Sequence, residues 1–380
     1  MNISQRAGEI PPSGIRRFFE LAEAYDDVIS LGVGEPDFAA PWAARDAAID
    51  SLQRGRTSYT ANAGMQDLRV AIARHAERYG HDYIPDEVLV TTGVSEGLDL
   101  AMRALVDQGD VVAMPEPTYV SYRPAVQFAG GTVLPIPTKL EDEFRLTREA
   151  LARHGAAEAD LLVLCYPNNP TGAVMREEHL EPIAAFAREH DLAVVSDEVY
   201  AALTFDGEHT SIATLDGMCE RTIVLGGFSK AYAMTGMRLG YALGPADAIH
   251  AMNRVHQYTM LSAPTTAQYA ALEALRSCDE EVQNMRRAYD RRRKFVLSRF
   301  AEMGVECFEA EGAFYLFPTC PSGDAETFAA DLLSSQRVAV VPGDVFGEAG
   351  SGHLRVSYAA SLDDLREAMD RIEAFVSTPD

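Results

Sequence analysis

Lysine is nearly absent from this chain. Only Lys139, Lys230 and Lys294 occur, and the other 30 basic residues are Arg. A lone Lys after an apolar strand is therefore no generic surface cation. Cysteine is sparse too. Cys165, Cys219, Cys278, Cys307 and Cys320 are an odd count without C-x-x-C spacing, which argues against a disulfide frame or a zinc site and for reduced thiols. No apolar run approaches the ~20 residues needed to span a bilayer. The first six residues contain no apolar signal region, and we expect a cytoplasmic protein with no membrane contact. Positive charge is in deficit, with 33 basic against 57 acidic residues and a net charge of -24. That opposes binding to nucleic acid or an anionic membrane. The acids are spread along the chain, as on a solvated surface. Acid excess with so little Lys predicts a halophilic protein, adapted to high salt.

What is present is a large core. Hydrophobic residues make up 47% of 380 positions, enough for two or three domains. After the Pro11–Gly14 punctuation a helical pattern places Ile15, Phe18, Phe19 and Ala22 on one face. Residues 29–38 read as a brief strand ending in a glycine turn at Gly32 and Gly34. Helices are expected over 42–54 and 65–79. His75, alone in that second helix, reads as a surface or core His without ligand partners. A strand over 87–92, a turn over 93–97 and a helix over 98–106 follow. Further strands are expected over 111–115, 131–137, 160–166, 193–200 and 222–226, with helices over 147–154 and 177–190. The strands are unbroken apolar runs, as in a parallel sheet covered on both faces. Residues 265–303 read as helical with a break near 277–279. The remainder switches to α+β, with strands over 312–318, 338–341 and 352–358 and helices at 325–335 and after the cap Ser361. The expected class is α/β, a mostly parallel sheet flanked by helices plus a smaller α+β domain.

Conspicuous residues gather at strand carboxyl ends, where α/β sheets bind ligands: Gly93, Tyr119, Asn169, Asp197 and Lys230. Lys230 can form an imine when its amine is uncharged, and Arg238 can hold a phosphate by its fork. That pair points to pyridoxal 5'-phosphate (PLP), which needs an imine, a protonated ring nitrogen, a held phosphate and a stacking surface. Asp197 would pair with the ring nitrogen. Asn169 and Tyr200 would donate to the phenolic oxygen, and Tyr119 would cover the ring. The amides of Gly93, Val94 and Ser95, opening a helix, would join Arg238 on the phosphate. Ser229, beside Lys230, is placed among the cofactor contacts. Each residue alone has a plainer reading: Asp197 as a helix cap, 169–172 as a turn, Arg355 as a surface cation, the tyrosines as packing.

The segments Asn169-Pro170-Thr171-Gly172, Asp197-Glu198-Val199-Tyr200 and Phe228-Ser229-Lys230 through Arg238-Leu239-Gly240 together resemble the class I/II aminotransferases of fold type I, the aspartate aminotransferase superfamily. The likeness runs from residue 29 to 359 and is nearest to archaeal aromatic and aspartate aminotransferases. It implies that Arg355 grips the substrate α-carboxylate with help from the Gly34 backbone and the Asn169 amide. It implies that Tyr59 reaches the phosphate of a neighbouring subunit, hence a homodimer with shared sites. It also implies an N-terminal arm over 1–42 that is part of the small domain, a large PLP domain over 43–284 and the rest of the small domain over 285–380. Lys230 would act as base and then acid while an amino group moves from an L-amino acid to a 2-oxo acid, 2-oxoglutarate being the expected acceptor. Ser95 stands where several aspartate-specific relatives carry a Lys for the distal carboxylate. That tilts the donor toward aromatic or broad, with aspartate second. A PLP lyase or synthase on the same scaffold, a ligand-sensing regulator and an imine-free phosphate-binding enzyme remain as alternatives.

Overall fold

The computed structural model describes residues 3–377. Strand β1 (Ile29–Ser30) is followed by β2 (Val88–Thr91), β3 (Val111–Glu116), β4 (Thr132–Pro137), β5 (Leu161–Cys165), β6 (Ala193–Asp197), β7 (Thr222–Gly227) and β8 (Gly240–Leu243). The last seven form one sheet in the order β2-β8-β7-β6-β5-β3-β4. β8 runs antiparallel to both neighbours, and the other pairs are parallel. All five residues of β5 are buried, as they must be with helices on both faces. The helices Val94–Leu105, Tyr122–Ala129, Glu177–Glu189 and Thr265–Ser277 supply those faces.

The rest of the chain carries β9 (Tyr315–Leu316), β10 (Val338–Ala339), β11 (Val341–Pro342) and β12 (Leu354–Ser357). β12 is the centre of the three-stranded sheet β11-β12-β9, and β1 pairs in parallel with β10. The N-terminal segment is thus joined to the C-terminal part of the chain. The long helix Asp279–Glu302 and the last helix, Leu362–Val376, complete this second core. Among the described residues no helix is long and apolar enough to cross a membrane.

Several expected boundaries differ. The turn expected over 93–97 is just Thr92 and Gly93: Gly93 takes φ +79°, and the helix already begins at Val94. The Glu96 side chain accepts from the Thr92 amide and satisfies a group the turn would otherwise leave open. The strand expected over 193–200 stops at Asp197, where Tyr200 already leads into a short 3₁₀ turn. The strand expected over 312–318 shrinks to Tyr315–Leu316 because Ala313 sits at φ +58°. The run 338–341 is two strands in two different sheets. The break near 277–279 is present, with helices Thr265–Ser277 and Asp279–Glu302 on either side of Cys278. On the N-terminal helix Gly14–Ala22, Phe18 is buried, and the Phe19 side chain lies outside the described residues. His75 sits half-buried between the rings of Tyr79 and Tyr232, and burial pulls its pKa down to about 4.

Candidate active site

The sheet order explains why residues far apart in sequence meet. Reading across the parallel strands β2, β7, β6, β5 and β3, the chain leaves the same edge at Gly93, Lys230, Asp197, Asn169 and Tyr119, while β8 enters there. Below that edge is a cavity of about 470 Å³. Lys230, Asp197, Asn169, Tyr119, Tyr200 and Ser229 line it, joined by Val94, Ser95, Arg238, Gly34 and Arg355. Two expected residues do not line it. Gly93 stands behind Arg238, where a Cβ would come 2.9 Å from Nη2. Tyr59 lies outside the cavity, 80% exposed.

The Lys230 amine donates to the Gly34 carbonyl at 2.5 Å. Burial pulls its pKa down to about 8, helped by the Arg355 charge and opposed by Glu35 and Asp197. An uncharged fraction of amine is therefore available near neutral pH. Asp197 moves the other way. Burial pushes its carboxyl up to about 6, although the Tyr122 hydroxyl donates to Oδ2 at 2.8 Å and the Val199 amide to Oδ1 at 3.1 Å. Arg355 is 2% exposed, not the edge-strand surface cation of the plainer reading. Its two Nη atoms donate to Asn169 Oδ1 at 2.9 Å and the Gly32 carbonyl at 2.6 Å, and its Nε has no partner. A buried guanidinium bonded only to neutral oxygens is a ready anion site.

The second anion site forms at the amino end of the helix Val94–Leu105. Its first amides are free of helix bonds, and Arg238 stands beside them, held by the Thr235 carbonyl at 3.0 Å. Sequence reasoning missed four residues. Tyr122 orients Asp197; Tyr315 shares a 2.9 Å hydroxyl–hydroxyl bond with Tyr200; Glu35 accepts from Thr235 at the mouth; and Ile15 lines the cavity from the N-terminal helix. The i, i+3 spacing of Tyr119 and Tyr122 at a strand end was the available signal for the first. Nothing local marks the others.

This donor set fits PLP. An amine of lowered pKa suits its aldehyde, a helix terminus with Arg238 suits its phosphate, and a buried carboxylate suits a cationic ring nitrogen. Comparison with known proteins agrees. The model of the family "Aminotransferase class I and II" matches residues 26–372. A putative aminotransferase, YugH, of Bacillus subtilis is 47% identical, with 98% of each chain covered. An aspartate aminotransferase of Pyrococcus abyssi is 43% identical over 98% of each chain. The crystal structure of an aromatic aminotransferase from Pyrococcus horikoshii superposes with a TM-score of 0.89 at 43% identity, covering 95% of this chain and 98% of that one. The chain belongs to the class I and II aminotransferases and is a PLP-dependent transaminase of fold type I.

Proposed function

We propose that this transaminase prefers aromatic or otherwise apolar L-amino acids as donors and 2-oxoglutarate as acceptor. One observation carries the preference. The cations lining the cavity are Lys230, Arg238 and Arg355, and each has a task. No lining cation is left for a second carboxylate on the donor, and Ser95 occupies the phosphate turn. Ile15, Leu98 and Tyr119 offer apolar surface, and Glu35 adds a negative charge. The far carboxylate of 2-oxoglutarate is assigned to lining hydroxyls such as Ser95 and Ser121. Aspartate is the second reading, supported by the 43% identity to an aspartate aminotransferase. Measuring kcat/KM for Tyr, Phe, Trp, Asp, Glu and Ala against 2-oxoglutarate should rank an aromatic donor above Asp. Asp exceeding every aromatic donor would overturn the preference.

The residues divide the work as follows. Lys230 Nζ would hold the cofactor and, once the substrate amine has released it, take the substrate Cα proton and pass it to the cofactor rather than back to Cα, as base and then acid. Its lowered pKa permits both near pH 8. PLP, when bound, supplies an electron sink for the charge left on Cα. Asp197, with its carboxylate fixed by Tyr122, holds the ring nitrogen. Val94, Ser95 and Arg238 hold the phosphate, Tyr119 covers the ring, and Tyr200 and Asn169 donate to oxygen. Arg355 takes the α-carboxylate.

The part of the chain over 1–42 and 285–380 is proposed to close on substrate over 43–284 and exclude water. Tyr59, exposed and outside its own cavity, is assigned to the cavity of a second copy. Sedimentation should then give about twice 41.4 kDa. A monomer with full cofactor affinity would refute the shared site. The five free thiols suit a reducing compartment such as the cytoplasm.

A further inference from the structure

Behind Asp197, away from the cavity, sits a second buried acid. Glu198 is the next residue, and its carboxylate is almost fully buried. Oε1 accepts from Ser196 Oγ at 2.9 Å and from Ser211 Oγ at 2.5 Å. Oε2 meets His209 Nε2 at 2.8 Å. His209 and Ser211 are themselves buried, and the His209 ring packs edge-on against Tyr79. None of these groups lines the active-site cavity.

Carrying a carboxylate into a protein interior is costly unless a cation and donors compensate it. An apolar residue would pack there at less cost, so the cluster calls for a reason. The reason lies in its neighbour. We propose that Glu198 and His209 are a buried positioning pair that sets the charge of Asp197 from behind the sheet. The proposal rests on the reading that Asp197 holds the ring nitrogen of PLP. Asp197 can do so only when ionised, and its burial already favours the neutral acid. A lone negative charge on Glu198 would push it further that way. His209, bonded to Oε2, opposes that charge, and the serines hold Oε1.

The surroundings are consistent with this. Burial pushes Glu198 up, but its bonds and charge interaction with His209 bring it below its ordinary value. Glu198 in turn raises Asp197. The other titratable groups facing Asp197 are Tyr122, Cys165 and Lys230. Those facing Glu198, besides His209, are His81, Tyr79, Tyr83 and Tyr241. All of them stay in place in the variants below.

The test reads cofactor affinity and not turnover. The Kd of PLP for the holoenzyme is measured from pH 5 to 9 by absorbance after equilibrium dialysis. His209→Gln removes what opposes Glu198 while still offering a donor to Oε2, so the pH below which affinity falls should rise by roughly half a unit or more. Glu198→Gln removes the pressing charge, so that pH should fall by a similar amount. Ser211→Ala removes a bond without a charge and should leave it in place while lowering the Tm. A merely structural role would move both charge variants in one direction. Shifts of equal sign, or none, would overturn the proposal. Should His209→Gln fail to fold, Glu198→Gln decides alone: a downward shift supports the pair, and an upward or absent shift overturns it. Asp197→Asn separates the two readings. If it leaves affinity unchanged, the assignment of Asp197 itself fails. If it weakens affinity while the two charge variants move together, only the pair fails.

Discussion

Arg355 Cζ lies 4.6 Å from the Tyr315 ring centroid and 4.8 Å from that of Phe346. Burial lowers its pKa from the ordinary value, and the facing tyrosines resist the shift. A planar guanidinium fits between two rings and still offers two parallel donors, which an ammonium cannot do. Arg355→Lys keeps the charge and loses the fork. KM for amino and 2-oxo acids should rise about 10- to 100-fold, equivalent to ~1.4–2.8 kcal/mol, with PLP affinity unchanged. An unchanged KM would place the α-carboxylate elsewhere. At this scale the sequence was informative wherever chemistry was rare. Lys230 stood out because lysine is scarce, Asp197 and Asn169 because they end or follow apolar strands, and Arg238 because it lies eight residues beyond Lys230. Tyr315 was invisible in its role, and Tyr122 was marked only by its spacing from Tyr119. Their partners, Asp197 and Tyr200, lie 75 and 115 residues away, and a tyrosine's residue type does not distinguish packing from hydrogen bonding.

The phosphate turn is braced by an element with no obvious chemistry. β8 begins at Gly240, where a Cβ would lie 2.7 Å from both Gly93 C and Val94 N. Both are backbone atoms, so neither can rotate away. Gly240→Ala should therefore displace the start of the helix Val94–Leu105 and the amides proposed to hold the phosphate. We expect a loss of about 1–3 kcal/mol of stability, as for overpacking elsewhere, together with at least about tenfold weaker PLP binding. Thermal unfolding and a PLP titration on the same sample check both. Full affinity despite lower stability would mean that β8 supports the sheet but not the turn. Elements of this kind were only partly legible. Unbroken apolar runs gave six strands of the large sheet, because burial on both faces demands them. β8 was missed, and with it the one reversal of direction. Direction is set by connection and pairing, which four residues cannot encode. The short turn of Thr92 and Gly93 was missed for a related reason: a glycine at φ +79° starts the helix two residues after the strand ends, with no long polar stretch between.

The molecule carries a net charge of -24, and two effects compete when salt is added. Screening weakens ion pairs such as Arg299 with Asp370 and Glu373, or Arg54 with Asp50. It also weakens repulsion among acids that outnumber the bases 57 to 33. Exposed pairs contribute at most ~1 kcal/mol each and often nothing. Self-repulsion acts on every unpaired acid at once, and it extends ~10 Å at 0.1 M salt but only ~3 Å at 1 M. Repulsion should therefore decide the sign. The urea midpoint should rise between 0.1 and 3 M KCl, with a gain of at least ~1 kcal/mol in unfolding free energy. A midpoint that stays level would mean that the ion pairs lost as much as the acids gained, and the high-salt reading would fall. This charge balance was fully legible in composition. That residues 1–42 belong with the C-terminal part was implied by the family resemblance, but the pairing of β1 with β10 that ties them was not legible. Two-residue strands leave no periodic signal, and they form here because the chain just after β1 is already held: Arg292 grips Asp37 through two bonds of 2.8 Å, and the Ser357 amide donates to the Leu31 carbonyl at 2.7 Å. The same anchoring sets the Gly34 carbonyl over Lys230, so the shape of the cavity depends on contacts between the two ends of the chain as much as on the large sheet.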